Sequence, residues 1–275
     1  ASVTVSAART MSAAAPNGSQ FSVSAAAFAP PEAAETPLGN NQGFLAASVQ
    51  QTSLSINDVT LAEGNAGTTN FQFTITRSNT AGAVSVVVNT QNGTAVSTSD
   101  YTAISNLTVN FAPGSSTAVV NVSVIGDTAV EANETFSVNL SNPSGAAITD
   151  GQGIGTITND DSTSISIGDV AVTEGNSGTT NASFTVTLAG AVQGGFTVPV
   201  SSVNGSAIAP SDYTAVAGGA SLTFTGNADE TRQVTVAVVG DTIVEANETF
   251  EVQLGTPSVA GVSVSDGTGV GTINN

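Results

Sequence analysis

The chain has 275 residues, more than one ordinary domain and about the length of two. It carries 21 acidic residues against three Arg (Arg9, Arg77 and Arg232), a net charge of −18, and it has no Lys, His, Cys or Trp. That excludes His/Cys zinc and haem sites, a thiol or Ser-His-Asp nucleophile, a Lys Schiff base, a P-loop and a Lys–Asn isopeptide cross-link, and it repels a nucleic-acid backbone.

Carboxylates, hydroxyls, amides and backbone remain for chemistry. The hydrophobic share of 40% is enough for a buried core. Val, Ser, Thr, Asn and Gly dominate over helix formers other than Ala, which is the composition of strands and turns. No apolar run reaches the ~18–20 residues that span a bilayer. The absence of Cys leaves the compartment open. The reading is a protein at the cell surface or outside the cell, its signal peptide already removed.

Residues 1–52 form an N-terminal extension of their own composition, with 14 Ala and three charges (Arg9, Glu32 and Glu35). Three stretches read as strands: Ser2–Ser6, Gln20–Ala25 and Gly43–Val49. A low-charge tail of this kind is expected to pack on something. The favoured expectation is strand donation to the exposed sheet edge of a neighbouring subunit, rather than packing along its own chain.

From residue 53 the chain repeats itself. LSINDVTLAEGNAGTTN at Leu54–Asn70 recurs as ISIGDVAVTEGNSGTTN at Ile165–Asn181, and Ser99–Thr102 recurs as Ser211–Thr214. GDTAVEANETF at Gly126–Phe136 recurs as GDTIVEANETF at Gly240–Phe250, ten of eleven residues identical. GIGTITN at Gly153–Asn159 recurs as GVGTINN at Gly269–Asn275. The units are 53–161 and 162–275.

Inside each unit the apolar period is two. Phe71-Phe73-Ile75, Val84-Val86-Val88, Leu107-Val109-Phe111, Val120-Val122-Val124 and Phe136-Val138-Leu140 alternate with polar residues. Phe184-Val186-Leu188, Phe196-Val198-Val200, Leu222-Phe224, Val234-Val236-Val238 and Phe250-Val252-Leu254 do the same in the second unit. Turn residues separate them. About seven such strands in ~110 residues indicate an antiparallel β-sandwich, and the alternating residues are its core. Asp58 and Asp169 read as turn formers within the first strand, and Asp150-Gly151 and Asp266-Gly267 as hairpin turns.

Seven acids of the first unit fall at strand ends or in loops: Glu63, Asp100, Asp127, Glu131, Glu134, Asp160 and Asp161. Loops from alternate strand ends gather at one pole of a sandwich, where like charges raise one another's pKa unless a cation intervenes. Calcium, which takes six to eight oxygens in loose geometry, suits such a cluster better than magnesium.

The opening S-I-x-D-V-x-x-x-E-G, the S-D-Y, the G-D-x-x-x-E-x-N-E-T-F and the closing G-x-G-T-I-x-N-D-D resemble the Calx-β domain. That family includes the calcium-sensing domains of sodium–calcium exchangers and tandem arrays in bacterial surface and secreted proteins. The resemblance implies two tandem immunoglobulin-like sandwiches with Ca2+ in the loops at one end. It places calcium ligands on the same seven residues of the first unit, and on Glu174, Asp212, Asp241, Glu245 and Glu248 of the second. Gly126 and Asn159 stand where the family often has further Asp. Asn274-Asn275 show no closing Asp pair, so the second site is expected to be the weaker one.

Tyr101 and Tyr213 follow a predicted ligand and are expected to pack rather than react. Paired carboxylates serve glycosidases, but those need an aromatic groove that a chain with two Tyr and no Trp does not supply. The expected function is therefore not enzymatic. It is a secreted calcium-binding structural protein that forms a non-covalent filament or matrix fibre. The alternative is a calcium-dependent adhesive module of a larger surface protein, gripping a carbohydrate or protein.

Overall fold

The computed structural model describes residues 51–275, so the three predicted strands of the N-terminal extension lie outside the described residues. All regular structure among the described residues is β. Contacts divide the chain into two compact units. Of the described residues, one holds 51–59 with Asn70–Val122 and Thr135–Gly155, and the other holds Thr60–Thr69, Ser123–Glu134 and Thr156–Asn275.

The first repeat forms β1 (Ser53–Ile56), β2 (Val59–Ala62), β3 (Gly67–Arg77), β4 (Ser85–Asn92), β5 (Leu107–Asn110), β6 (Thr117–Gly126), β7 (Glu134–Ser144), β8 (Ala147–Ile148) and β9 (Gln152–Thr158). The second forms β10 (Thr163–Ile167), β11 (Val170–Thr173), β12 (Thr179–Leu188), β13 (Phe196–Asn204), β14 (Ser221–Phe224), β15 (Thr231–Val239), β16 (Glu248–Leu254), β17 (Val262–Asp266) and β18 (Thr268–Asn274). Each repeat makes a sandwich of a four-stranded and a five-stranded sheet. The orders are β6-β3-β1-β8 with β2-β9-β7-β4-β5, then β15-β12-β10-β17 with β11-β18-β16-β13-β14.

The alternation read from sequence is the burial pattern. Phe71, Phe73 and Ile75 of β3 are fully buried, as are Phe184, Val186 and Leu188 of β12. A slip of one residue would turn these side chains to water, so this pattern fixes register. Phe136 fills the centre of the first core, with its ring against Phe71, Phe73 and Tyr101.

Two features depart from a simple antiparallel sandwich. The first strand of each repeat breaks at Asp58 or Asp169, whose Oδ1 accepts from Ile154 N or Val270 N at 2.7 Å, and its halves join different sheets. Pairing is therefore parallel in places: β1 with β8, β10 with β17 and β11 with β18. Second, Asp150-Gly151 and Asp266-Gly267 are not hairpin turns. Each carries the chain from one sheet to the other, β8 to β9 and β17 to β18. The turn chemistry is that of a hairpin, but the strands it joins are not neighbours.

Candidate metal centre

The site of the first repeat is assembled from four loops that start or end on strands. Glu63 follows β2, and the bend after it needs Gly64, whose φ of +84° lies in the region that L side chains rarely adopt. Thr69 Oγ1 donates to the Glu63 carbonyl at 2.5 Å and closes the bend. Gly126, at the end of β6, crosses directly over it: a Cβ there would lie 1.9 Å from the Gly64 carbonyl oxygen. Glycine at 126 is what lets the two loops approach this closely. No side chain fits between the two loops.

The remaining ligand candidates are held by short hydrogen bonds. Asp100 Oδ2 accepts from Val96 N at 2.6 Å, and Asp127 Oδ1 from Ala129 N at 2.7 Å. Asp160 Oδ1 accepts from Gly64 N at 3.2 Å, and Asp161 Oδ1 from Asn65 Nδ2 at 2.8 Å. Tyr101 is buried, stacks on Phe136 at 4.5 Å and donates its hydroxyl to Asn92 Oδ1 at 2.6 Å, so it packs as expected.

Six of the seven predicted acids gather as two trios, Glu63 with Asp160 and Asp161, and Asp100 with Glu131 and Glu134. Within each trio the carboxylate oxygens lie within 4.8 Å of one another. Asp127 belongs to neither trio, but its charge reaches both Glu63 and Asp161. Burial first, and then the charges of Glu131, Asp127, Asp161 and Asp160, push the Glu63 carboxyl from its ordinary 4.5 up to about 7. Burial, then Asp160 and Asp127, push Asp161 up as well.

Glu63 is 3% exposed and Asp161 7%. Glu63 Oε1 and Asp161 Oδ2 are buried with no hydrogen-bond partner. A buried carboxylate oxygen without a donor costs several kcal/mol unless a cation or proton meets it. The donor set is entirely oxygen and anionic, which suits a hard divalent cation with flexible coordination and gives a thiophilic or imidazole-seeking metal nothing to bind. These residues fit such an ion: Glu63, Asp160 and Asp161 at one position, and Asp100, Glu131 and Glu134 at a second.

The second repeat builds a looser pole. Glu174 is buried, and its Oε1 accepts from Asn275 Nδ2 at 3.1 Å. Asp212 Oδ2 accepts from Ile208 N at 2.7 Å, and Asp241 Oδ1 from Ile243 N at 2.6 Å. Burial, then the charge of Asp212 and a hydrogen bond with it, raise Glu248, with smaller contributions from Glu245 and Glu174. Glu245 is raised by desolvation, then by Asp241, Asp212 and Glu174. Among the described residues, the trios close enough to hold one ion both come from the first repeat.

Sequence reasoning missed the amides that order these loops. Asn159 Oδ1 accepts from Glu131 N at 2.9 Å, and its Nδ2 donates to the Asp161 carbonyl at 3.0 Å, tying two ligand loops together. Asn133 Oδ1 accepts from Asn159 N at 3.1 Å. The signal was present, because Asn133 recurs as Asn247 and Asn159 as Asn275.

The architecture, two acidic-poled β-sandwiches in tandem, defines a class of carboxylate-rich repeat modules. The sequence matches the Calx-beta domain over residues 50–169 and again over 157–270, and the chain belongs to that family. It is similar to a crystal structure of CBD12 from CALX1.2, with 20% identity over 81% of this chain and 100% of that one and a TM-score of 0.38. It is likewise similar to the calcium binding domain CBD12 of CALX1.1, with 18% identity over 81% and 99% and a TM-score of 0.38. An apo-form Calx CBD1 domain matches at 24% identity over 41% of this chain and 100% of that one, with a TM-score of 0.37. No helix among the described residues is long and apolar enough to cross a membrane.

Proposed function

We propose that the protein is a secreted or cell-surface calcium-binding structural module, non-enzymatic, and a subunit of a non-covalent extracellular filament or matrix fibre. The observation that carries the calcium reading is the pair of buried carboxylate oxygens, Glu63 Oε1 and Asp161 Oδ2, that face a cluster of like charge without a donor. Membership of the Calx-beta family supports the same ion. Ca2+ is held by Glu63, Asp100, Glu131, Glu134, Asp160 and Asp161, with Asp127 adding field. Glu174, Asp212, Asp241, Glu245 and Glu248 make a weaker second site.

The fibre reading is supported by the tandem repeat and by an N-terminal extension of strand-like alternation and low charge, and the absence of Lys makes such a fibre non-covalent. That extension pairs with the neighbouring subunit.

The test is a calcium titration followed by calorimetry and melting. Extracellular modules bind at ~0.1–1 mM, and an ion ~100-fold above its dissociation constant adds about 2.7 kcal/mol to the native state. The melting temperature should rise with calcium, and Glu131→Gln combined with Glu134→Gln should abolish most of the rise. A melt unmoved by calcium at about tenfold above the weaker of those constants rejects the reading. Electron microscopy of the native material decides the rest: filaments with a subunit repeat support the fibre, and isolated rods return the adhesive-module alternative.

A further inference from the structure

A further motif recurs next to the acids. NGTAVSTSDY at Asn92–Tyr101 returns as NGSAIAPSDY at Asn204–Tyr213. Asn92 ends β4 opposite Phe136 of β7, and Asn204 ends β13 opposite Phe250 of β16. The four residues that open each motif carry no charge, yet they make the same contacts in both repeats.

Asn92 Oδ1 accepts from Ser97 N at 2.9 Å and from the Tyr101 hydroxyl at 2.6 Å. Asn204 Oδ1 accepts from Ala209 N at 3.1 Å and from the Tyr213 hydroxyl at 2.5 Å. Thr94 Oγ1 accepts from Thr135 N, and Ser206 Oγ from Thr249 N, both at 2.8 Å. Ala95 N donates to the Thr135 carbonyl at 2.9 Å, and Ala207 N to the Thr249 carbonyl at 3.0 Å. Gly93 and Gly205 pass so close that a Cβ at either would run into the same threonine carbonyl.

Thr135 directly follows Glu134, and Thr249 directly follows Glu248. The amide after Ala95, Val96 N, holds Asp100 Oδ2, and the amide after Ala207, Ile208 N, holds Asp212 Oδ2. Two consecutive N–H groups therefore join the acid of one loop to the residue beside the acid of another. The rings next to these acids stack as well, Tyr101 on Phe136 at 4.5 Å and Tyr213 on Phe250 at 4.3 Å. Like charges drive such acids apart, so uncharged contacts must hold them at ligand spacing.

We propose that Asn92 and Thr94, with Asn204 and Ser206 in the second repeat, are positioning residues that set the spacing of Asp100 from Glu134 and of Asp212 from Glu248, and through it the calcium affinity there. This rests on the calcium reading and adds residues that touch no ion. The repeats differ here in keeping with the role. Thr94 becomes Ser206, which keeps the hydroxyl, and Val96 becomes Ile208, which serves through its N–H. Asp160 and Asp161 are held by other donors, Gly64 N and Asn65 Nδ2, so the two calcium positions of the first repeat can be perturbed separately.

The test is calcium titration of the full-length chain by isothermal calorimetry, with Asp100→Asn and Glu63→Gln assigning the two positions. Loss of a hydrogen bond behind a metal ligand typically costs ~10–100-fold in affinity. Asn92→Ala and Thr94→Val should each weaken the Asp100 position at least about tenfold and leave the Glu63 position within about twofold. Thr94→Ser should bind like the parent, because Ser206 makes the same bond. Added to Asp100→Asn, Asn92→Ala should cost little more, whereas added to Glu63→Gln it should keep its full effect. Thr94 is exposed, so Thr94→Val decides the matter even if Asn92→Ala does not fold.

Variants that weaken both positions alike, or leave the Asp100 position unmoved, overturn the proposal. So does Thr94→Ser binding like Thr94→Val, or Asn92→Ala costing as much on Asp100→Asn as on the parent. A parent that binds no calcium rejects the calcium reading and the proposal with it. A parent that binds, beside variants that bind unchanged, rejects the proposal alone.

Discussion

Glu63→Gln removes one negative charge from the first pole and keeps the shape of the side chain. The Glu63 carboxyl sits at about 7 against an ordinary 4.5, raised by burial and then by Glu131, Asp127, Asp161 and Asp160. A carboxyl raised in the folded state contributes stability that is fully present below its unfolded pKa and is lost as pH rises through the folded one. In chelator, the parent protein therefore weakens between about pH 4.5 and pH 7. At ~1.36 kcal/mol per pH unit that interval is worth up to about 3 kcal/mol. Glutamine has no proton to lose. In chelator near pH 8 the variant should be more stable than the parent by up to about 3 kcal/mol, roughly 10 °C in melting temperature for a domain of this size. Near pH 4.5 the two should coincide. In calcium the order reverses, because the parent gains the ion and the variant does not. Differential scanning calorimetry over that pH range, with and without chelator, reads all of this. A variant that melts at or below the parent in chelator near pH 8, or that keeps the parent's slope, refutes the reasoning.

Three further outcomes follow from the geometry. Gly126→Ala places a methyl 1.9 Å from the Gly64 carbonyl oxygen, so it should lower the melting temperature and weaken the calcium response together, both read in one calcium-dependent melt. Val130→Ala removes a fully buried side chain from a core cluster and should cost roughly 1.5–3 kcal/mol in chemical denaturation, whereas Val244→Ala at the equivalent exposed position should stay within about 0.5 kcal/mol. A chain starting at Thr52 keeps the Thr52 carbonyl that accepts from Ala147 N at 2.8 Å, so it should fold with unchanged circular dichroism and, if the N-terminal extension joins subunits, remain monomeric in sedimentation.

Much of the fold was legible because the apolar period is strict. The alternating residues of β3, β6, β12 and β15 are buried as read. Among the exceptions, Leu107 is 42% exposed, while Phe111, in the same run, is buried. Its strand, β5, closes one side of the five-stranded sheet, so less of it has core to cover. The sheet crossing at Asp150-Gly151 could not be told from a hairpin, since turn residues report a local bend and not which strands it joins. The acids that gather at the first pole were legible from their recurrence at strand ends. Their division into two trios was not, because it depends on how closely Gly126 lets two loops approach. Nor does sequence separate Val130 from Val244. The loops match at ten of eleven residues, Ala129 against Ile243 being the one difference, so both read as the same acidic loop.

The charge balance explains why the first pole calls for an outside cation. Among the described residues the cationic side chains are Arg77 and Arg232. Arg77 is 2% exposed, lies over the Phe111 ring and donates to the carbonyls of Ser115, Gly82, Thr80 and Ala112. Arg232 donates to the Thr223 carbonyl and pairs with Glu230, whose carboxyl is held low mainly by Thr225 and Gly226 backbone donors working against its burial. Both therefore brace loops and turns, and neither is an ion-pair partner of the carboxylate trios. The hydrogen bonds that reach the trios come from neutral donors such as Gly64 N, Asn65 and Gln193, and they leave Glu63 Oε1 and Asp161 Oδ2 unmet. Among the described residues no cation meets those oxygens, and a proton or a divalent ion can. A proton serves below about pH 7 at Glu63, and a divalent ion serves above it. A fold that uses its described arginines elsewhere and still buries these carboxylates should be most stable at neutral pH with a divalent ion bound, and a melt of the first sandwich with and without calcium checks it.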